Sequence, residues 1–261
     1  MPKSAPPPLT PRIDLVAERY KIAAIGKTRR IAVILPHDYD KNLNKRYPVL
    51  YLQDGQNLYE QAAPYGTWGV DKQLARLAKS QQAGVIVVAI DHAESKRISE
   101  FNPFDHPKFG KGEGKKYLEF ITQELKPYID KTYRTYPDRM STAMGGSSMG
   151  GLITAYAAIH LTDQISKFMI FSPSLWIAPE IYEEANNFCP ADPTRIYIYG
   201  GGNESMQLIP NIERFAFSLK QNLNKKIPLR VKVSVNSEGK HQEYFWGKEF
   251  PHALRWLFFK D

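Results

Sequence analysis

The sequence predicts a three-layer α/β fold, with a mostly parallel central sheet covered by helices on both faces and an antiparallel hairpin at its N-terminal end. Three observations lead there. From about residue 48 onward, short apolar runs alternate with segments of helical period, the signature of repeated βα units. The links between these units are short, and no Gly/Ser-rich linker interrupts them, which favours one domain over two. A glycine-rich octet, Met144-Gly145-Gly146-Ser147-Ser148-Met149-Gly150-Gly151, stands between a strand-like run and a helix-like one.

Taken in order, residues 1–11 read as a Pro-rich extended arm and 12–261 as the α/β domain. Residues 13–25 and 30–36 read as two strands turning at Gly26-Lys27. Residues 48–53 and 85–91 are apolar runs suited to strands buried on both faces, with a helix over 70–79 between them. A helix over 115–132 places Leu118, Ile121, Leu125 and Ile129 on one face. The strand entering the octet covers 139–144, and Leu152 to Ala158 is helix-like after it. Strands then fall at 167–171, 195–199 and 229–235, helices at 181–187 and 207–223, and a last helix at 243–259.

Composition excludes several classes. Hydrophobic content of 43% is that of a globular chain, and the longest apolar stretch, 84–90, is far short of the ~20 residues of a membrane span. The N-terminus lacks the apolar core of a secretory signal, and the single Cys189 allows no intrachain disulfide; both fit a cytoplasmic protein. The net charge of +8 favours anionic ligands. Lys and Arg are scattered without a nucleic-acid module, so nucleic acid is a poor partner. No Cys/His cluster with metal-ligand spacing and no dinucleotide fingerprint is present, so neither metal nor organic cofactor is expected.

The octet matches G-x-S-x-G in one frame only. Ser148 has Gly146 two before it and Gly150 two after, whereas Ser147 meets Met149 where the second glycine should stand. A strand turning sharply into a helix needs small residues beside a serine held at the apex, the nucleophile elbow. The rival, a phosphate-cradling loop, needs Gly-Lys-Ser/Thr, and the octet holds no lysine.

A serine hydroxyl at neutral pH needs a histidine to take its proton and a carboxylate to orient that histidine. Enzymes built on this elbow place them in the chain order serine, acid, histidine. His160 lies at the end of the helix leaving the elbow, before any suitable acid, and His252 falls within the last helix. His241 sits in a loop after the last strand, at the carboxyl edge of the sheet, where open α/β folds place their sites. Glu204, in the loop after 195–199, is the best acid, although it also suits the capping region of the next helix. Asp192 lies at the wrong end of its strand, and Glu180, Glu183 and Glu184 suit a first helical turn. A serine and histidine without a close acid is the fallback. The oxyanion of acyl transfer needs N–H donors. One is the amide of Met149; the other falls in the loop after Asp54, which turns at Gly55 and presents Gln56, unless Asp54-Gly55 is a plain turn.

These residues resemble the esterase family of α/β-hydrolases that includes esterase D, feruloyl and acetylxylan esterases, trilactone-siderophore esterases and mycolyltransferase antigens. Tyr47 to Asn57, Trp68, Arg97-Ile98-Ser99-Glu100-Phe101, the octet, Ser172-Pro173-Ser174-Leu175-Trp176 and Gly239-Lys240-His241 fall in the family's order over nearly the whole chain from about Pro36. The resemblance implies an α/β-hydrolase fold, an ester substrate, triad roles for Ser148, Glu204 and His241, and Gln56 as the second oxyanion donor. The acid varies among members. Trp176 reads as a pocket wall or a core residue, Arg97 and Glu100 as the pocket rim or a surface ion pair, and 102–115 as a loop over the mouth. The substrate is expected to be a small-molecule ester, carbohydrate-linked or an anionic siderophore-type lactone. An acyltransferase on the same site and a noncatalytic binding protein on the same scaffold are the rival functions.

Overall fold

The computed structural model describes residues 9–60, 63–80, 84–222 and 228–259. Most of the Pro-rich arm, residues 1–8, therefore lies outside the described residues, as does position 223 of the helix expected over 207–223, which ends at Ser218.

Eight strands form one sheet: β1 (Arg12–Ile22), β2 (Lys27–Leu35), β3 (Val49–Gln53), β4 (Ile86–Ile90), β5 (Thr142–Ser147), β6 (Lys167–Phe171), β7 (Thr194–Gly201) and β8 (Leu229–Asn236). Their order is β1-β2-β4-β3-β5-β6-β7-β8. β1 and β2 form the antiparallel hairpin at one edge, turning at Gly26 (φ +63°), and β2 pairs antiparallel with β4. Every later pairing is parallel, as the apolar runs require.

The helices are α1 (Gln56–Tyr59), α2 (Val70–Ala78), α3 (Arg97–Phe101), α4 (Gly114–Phe120), α5 (Lys126–Thr132), α6 (Met149–His160), α7 (Ile181–Asn186), α8 (Leu208–Ser218) and α9 (Glu243–Phe258). Alternation along each strand splits the core in two. Val49 and Tyr51 face α4 to α8, while Leu50 and Leu52 face α2 and α9, where Leu74, Trp246, Phe250 and Leu254 are buried. Two apolar faces of one sheet make the three layers. No helix among the described residues is long and apolar enough to cross a membrane.

Two other expected elements differ as well. The helix over 115–132 is interrupted by a π segment, Ile121–Leu125, in which Lys126 N–H bonds Ile121 O rather than the carbonyl of Thr122, one residue nearer. Pro127 follows at once; it has no N–H to give and its ring crowds the carbonyl four residues back, so the ladder widens there. The strand expected at 139–144 starts and ends three residues later. Asp138 accepts the Ser141 N–H at 3.0 Å and holds 139–141 in a helical turn, while Gly145, Gly146 and Ser147 pair with Met169, Ile170 and Phe171. Pairing with β6 overrides the weak strand preference of glycine.

The topology positions the site. From β3 the chain moves to β4 on one side, and from β5 to β6 on the other, so the loops leaving the carboxyl ends of adjacent β3 and β5 diverge. Such a switch point opens a crevice.

Candidate active site

Four non-glycine residues have φ in the left-handed range among the described residues: Asp54 (+60°), Glu94 (+47°), Ser148 (+57°) and Ser172 (+42°). They follow β3, β4, β5 and β6 in turn, so the strained backbone is gathered at one edge of the sheet. Such strain persists only where surrounding structure holds it, and it clusters at functional sites.

Ser148 is the last residue before α6, at φ 57°, ψ −118°. Close packing explains the glycines around it. A Cβ on Gly146 would lie 2.7 Å from the backbone of Gly150, and one on Gly150 would lie 2.9 Å from Asp54 Oδ2 and 3.0 Å from Gln53 Cβ. The second pair of contacts shows that the elbow is packed against the end of β3. Gln56 and Met149 are the first residues of α1 and α6, so their N–H groups have no carbonyl one turn back, and no acceptor among the described residues takes them. The Gln56 side chain is held by the His92 backbone in both directions: Nε2 donates to His92 O at 3.3 Å and Oε1 accepts the His92 N–H at 3.0 Å.

His241 and Glu204 come together from loops 37 positions apart: His241 Nδ1 is 2.6 Å from Glu204 Oε2. The imidazole is 46% exposed and the carboxylate only 2%. Glu204 Oε1 accepts the Gly201 N–H at 2.8 Å and the Ser172 hydroxyl at 2.6 Å. Ser148 and His241 line the same cavity, of about 690 Å³, which opens over Gln56, Asn57, Tyr65 and Trp246. In this conformation Ser148 Oγ lies 3.3 Å from Ser174 Oγ rather than bonded to His241. A second cavity of about 470 Å³ adjoins the first at Ser148 and His241, and Trp176, 65% exposed, forms part of its wall with Leu208 and Asn211.

The expected rim residues separate. Arg97 lines the larger cavity, but Asp54 engages its guanidinium through two bonds of 2.6 and 2.7 Å, and Ser147 O accepts a third at 3.3 Å. Burial disfavours the charged guanidinium, and the adjoining Asp54 carboxylate more than offsets this, so its pKa is raised. Glu100 is not a rim residue. It is fully buried and takes a forked hydrogen bond from Arg29 on β2, with Lys27 3.7 Å away. One short helix, α3, thus turns Arg97 to the cavity and Glu100 to the hairpin. Nor does 102–115 cover the mouth, since none of its residues lines either cavity. Its Phe104 and Lys115 pack on Tyr156 of α6 instead.

Other residues of the cavity carry no motif that marks them in the sequence. Glu243, at the start of α9, is buried and bonded to Asn57 Nδ2 at 3.2 Å, and burial raises its pKa. Burial lowers the pKa of His92, whose Nδ1 accepts the Glu94 N–H at 2.8 Å. Ser172 and Ser174 belong to the family-like segment Ser172-Pro173-Ser174-Leu175-Trp176, yet nothing local marks them as neighbours of Glu204 and Ser148.

Comparison with known proteins shows the family and the fold. A family model described as "Putative esterase" matches residues 22–257. The chain is 25% identical over 247 residues to the "Uncharacterized protein YbbA" of Bacillus subtilis, covering 89% of this chain and 94% of that one. It is 26% identical over 161 residues to the ferri-bacillibactin esterase BesA of the same organism, spanning 54% of this chain and 53% of that one. A solved ferulic acid esterase of Anaeromyces mucronatus shares the fold, with TM-score 0.71 and 20% identity over 99% of this chain and 94% of that one. With the family model covering almost the whole sheet and every residue of the crevice described above, the chain belongs to this esterase family and is an α/β-fold hydrolase of carboxylic esters.

Proposed function

We propose that the protein is a serine esterase that opens a carbohydrate-linked acyl ester through an acyl-enzyme. The observation that carries this is that one cavity is lined both by a strained Ser148 and by a His241 whose Nδ1 is held by buried Glu204. With Nδ1–H donated to Glu204, the imidazole keeps a lone pair on Nε2 for the serine proton. Ser148 Oγ swings from Ser174 toward His241 and attacks the ester carbonyl, while His241 accepts its proton. The carbonyl oxygen becomes an oxyanion within reach of the Gln56 and Met149 amides. Collapse of the tetrahedral adduct breaks the C–O bond to the alcohol, which takes the proton from His241. Water, deprotonated by His241, then releases the acid and restores Ser148.

Charge at the site supports a neutral alcohol portion over a polyanionic lactone. Although the chain carries +8 overall, the described lining of the larger cavity holds Asp54, Glu94 and Glu243 against Arg97, itself paired with Asp54. The second cavity offers Trp176, Asn211 and Gln207, an aromatic plane beside amides that suits a sugar face.

The test is a panel of acetylated and feruloylated xylo-oligosaccharides, short p-nitrophenyl esters and a trilactone, run with Ser148→Ala. The variant should lose roughly 10³-fold or more in kcat, and a fluorophosphonate should label Ser148 in the native protein. Undiminished turnover by Ser148→Ala ends the proposal. Product partition between added alcohol and water separates hydrolysis from acyl transfer at the same serine.

A further inference from the structure

We propose that Ser172 is a positioning residue for the Glu204–His241 pair, with Trp246 fixing the direction in which it donates; this rests on the triad reading above. Ser172 follows β6, is buried, and has φ +42°, a backbone conformation that favours glycine. Its N–H bonds Tyr199 O at 2.7 Å, which ties the turn to β7 just ahead of the Glu204 loop. Its Oγ has two side-chain partners, Trp246 Nε1 at 2.8 Å and Glu204 Oε1 at 2.6 Å.

The polarity of this chain follows from the groups. An indole N–H can only donate, so Ser172 Oγ accepts from Trp246. A hydroxyl has one proton, and the carboxylate is the partner that can receive it. The relay therefore runs from Trp246 N–H to Ser172 O–H to Glu204 Oε1. With the Gly201 amide also on Oε1, that oxygen is held by two donors, and Oε2 is left turned to His241 Nδ1. Rotating the carboxylate would break both bonds on Oε1. Trp246 also presents its ring to the imidazole in an edge contact, 4.9 Å between centroids, so one side chain touches both Ser172 and His241. A serine retained where glycine is favoured, between a donor-only and an acceptor-only group, is accounted for by its hydroxyl.

The test is a pair of double-mutant cycles on neutral-ester turnover. Ser172→Ala should lower kcat roughly 10–100-fold, the range for a lost hydrogen bond to a charged group, with KM within about twofold. Ser172→Gly, which relieves the backbone strain but also lacks the hydroxyl, should behave alike and serves if the alanine variant does not fold. In a Glu204→Ala background, which removes the acceptor altogether, adding Ser172→Ala should cost nothing further, because the relay has lost its end point. Trp246→Phe should slow turnover and be non-additive with Ser172→Ala. Wild-type kcat in both Ser172 variants while Glu204→Ala is impaired overturns the proposal. An equal loss in both backgrounds also overturns it, since that marks a general structural role. Wild-type kcat in Glu204→Ala instead removes Glu204 from the triad, a failure of the underlying reading that the cycle reports separately.

Discussion

Lys167 shows how one residue can oppose its surroundings. It is buried at the start of β6, and burial, reinforced by Arg195 and Arg139, pushes its pKa down to about 8. Its ordinary value is 10.5, so between about 8 and 10.5 the unfolded chain binds the proton that the folded chain has lost, and this residue's contribution to stability rises with pH. Lys167→Met removes that dependence. Its stability advantage over the wild type, measured by urea unfolding, should shrink as pH rises from 8 to 10; a constant gap would contradict the assignment. Glu100 makes the opposite case, a buried charge that is matched. Glu100→Ala strands Arg29 in the interior and should cost about 3–5 kcal/mol, while kcat and KM stay unchanged because Glu100 lines neither cavity. A specific rise in KM at full stability would return it to the pocket rim. The sequence showed Arg97 and Glu100 three positions apart but not which way each faced, since a single helical turn has too short a period to reveal its buried side.

The elbow is the element on which the site turns. β5 brings Ser148 to the edge, α6 begins immediately, and Gly146 lets the two backbones cross. Gly146→Ala would press a methyl against Gly150 main-chain atoms at 2.7–3.0 Å, which cannot rotate away. We expect a loss of about 1–3 kcal/mol from overpacking together with a fall in kcat, read from the urea midpoint and ester turnover. Unchanged values of both would mean the elbow is looser than drawn. This element was legible in the sequence because its requirements are local and steric: small residues at fixed offsets from a serine. The exact extent of β5 was not, because Gly145 and Gly146 carry no strand preference and join the sheet only through pairing with β6. The π segment before Pro127 was likewise hidden, since the apolar face of that helix continues through it.

Across the whole molecule, net charge and site charge part company. The formal +8 belongs to the chain as a whole, whereas the larger cavity has acidic groups gathered from the ends of β3 and β4 and the start of α9. An ester with an anionic alcohol portion should therefore show a higher KM than its neutral isostere at low ionic strength, and added salt should narrow the gap by screening. A lower KM for the anionic ester at low salt would mean that the global positive field governs binding.

The order of strands and helices, the frame of the elbow and the chain order that singled out His241 and Glu204 were all set by the sequence, because period, glycine spacing and position at strand ends are one-dimensional properties. Tertiary structure decided what depends on distance between remote segments. It placed Ser172 and Trp246 behind Glu204, locked Arg97 to Asp54, buried Glu100 against Arg29, and drew the 102–115 loop onto α6. The reason is physical: a backbone pattern repeats along the chain, whereas a side chain's partner is fixed only when the sheet brings separate strand ends within a few ångströms of one another.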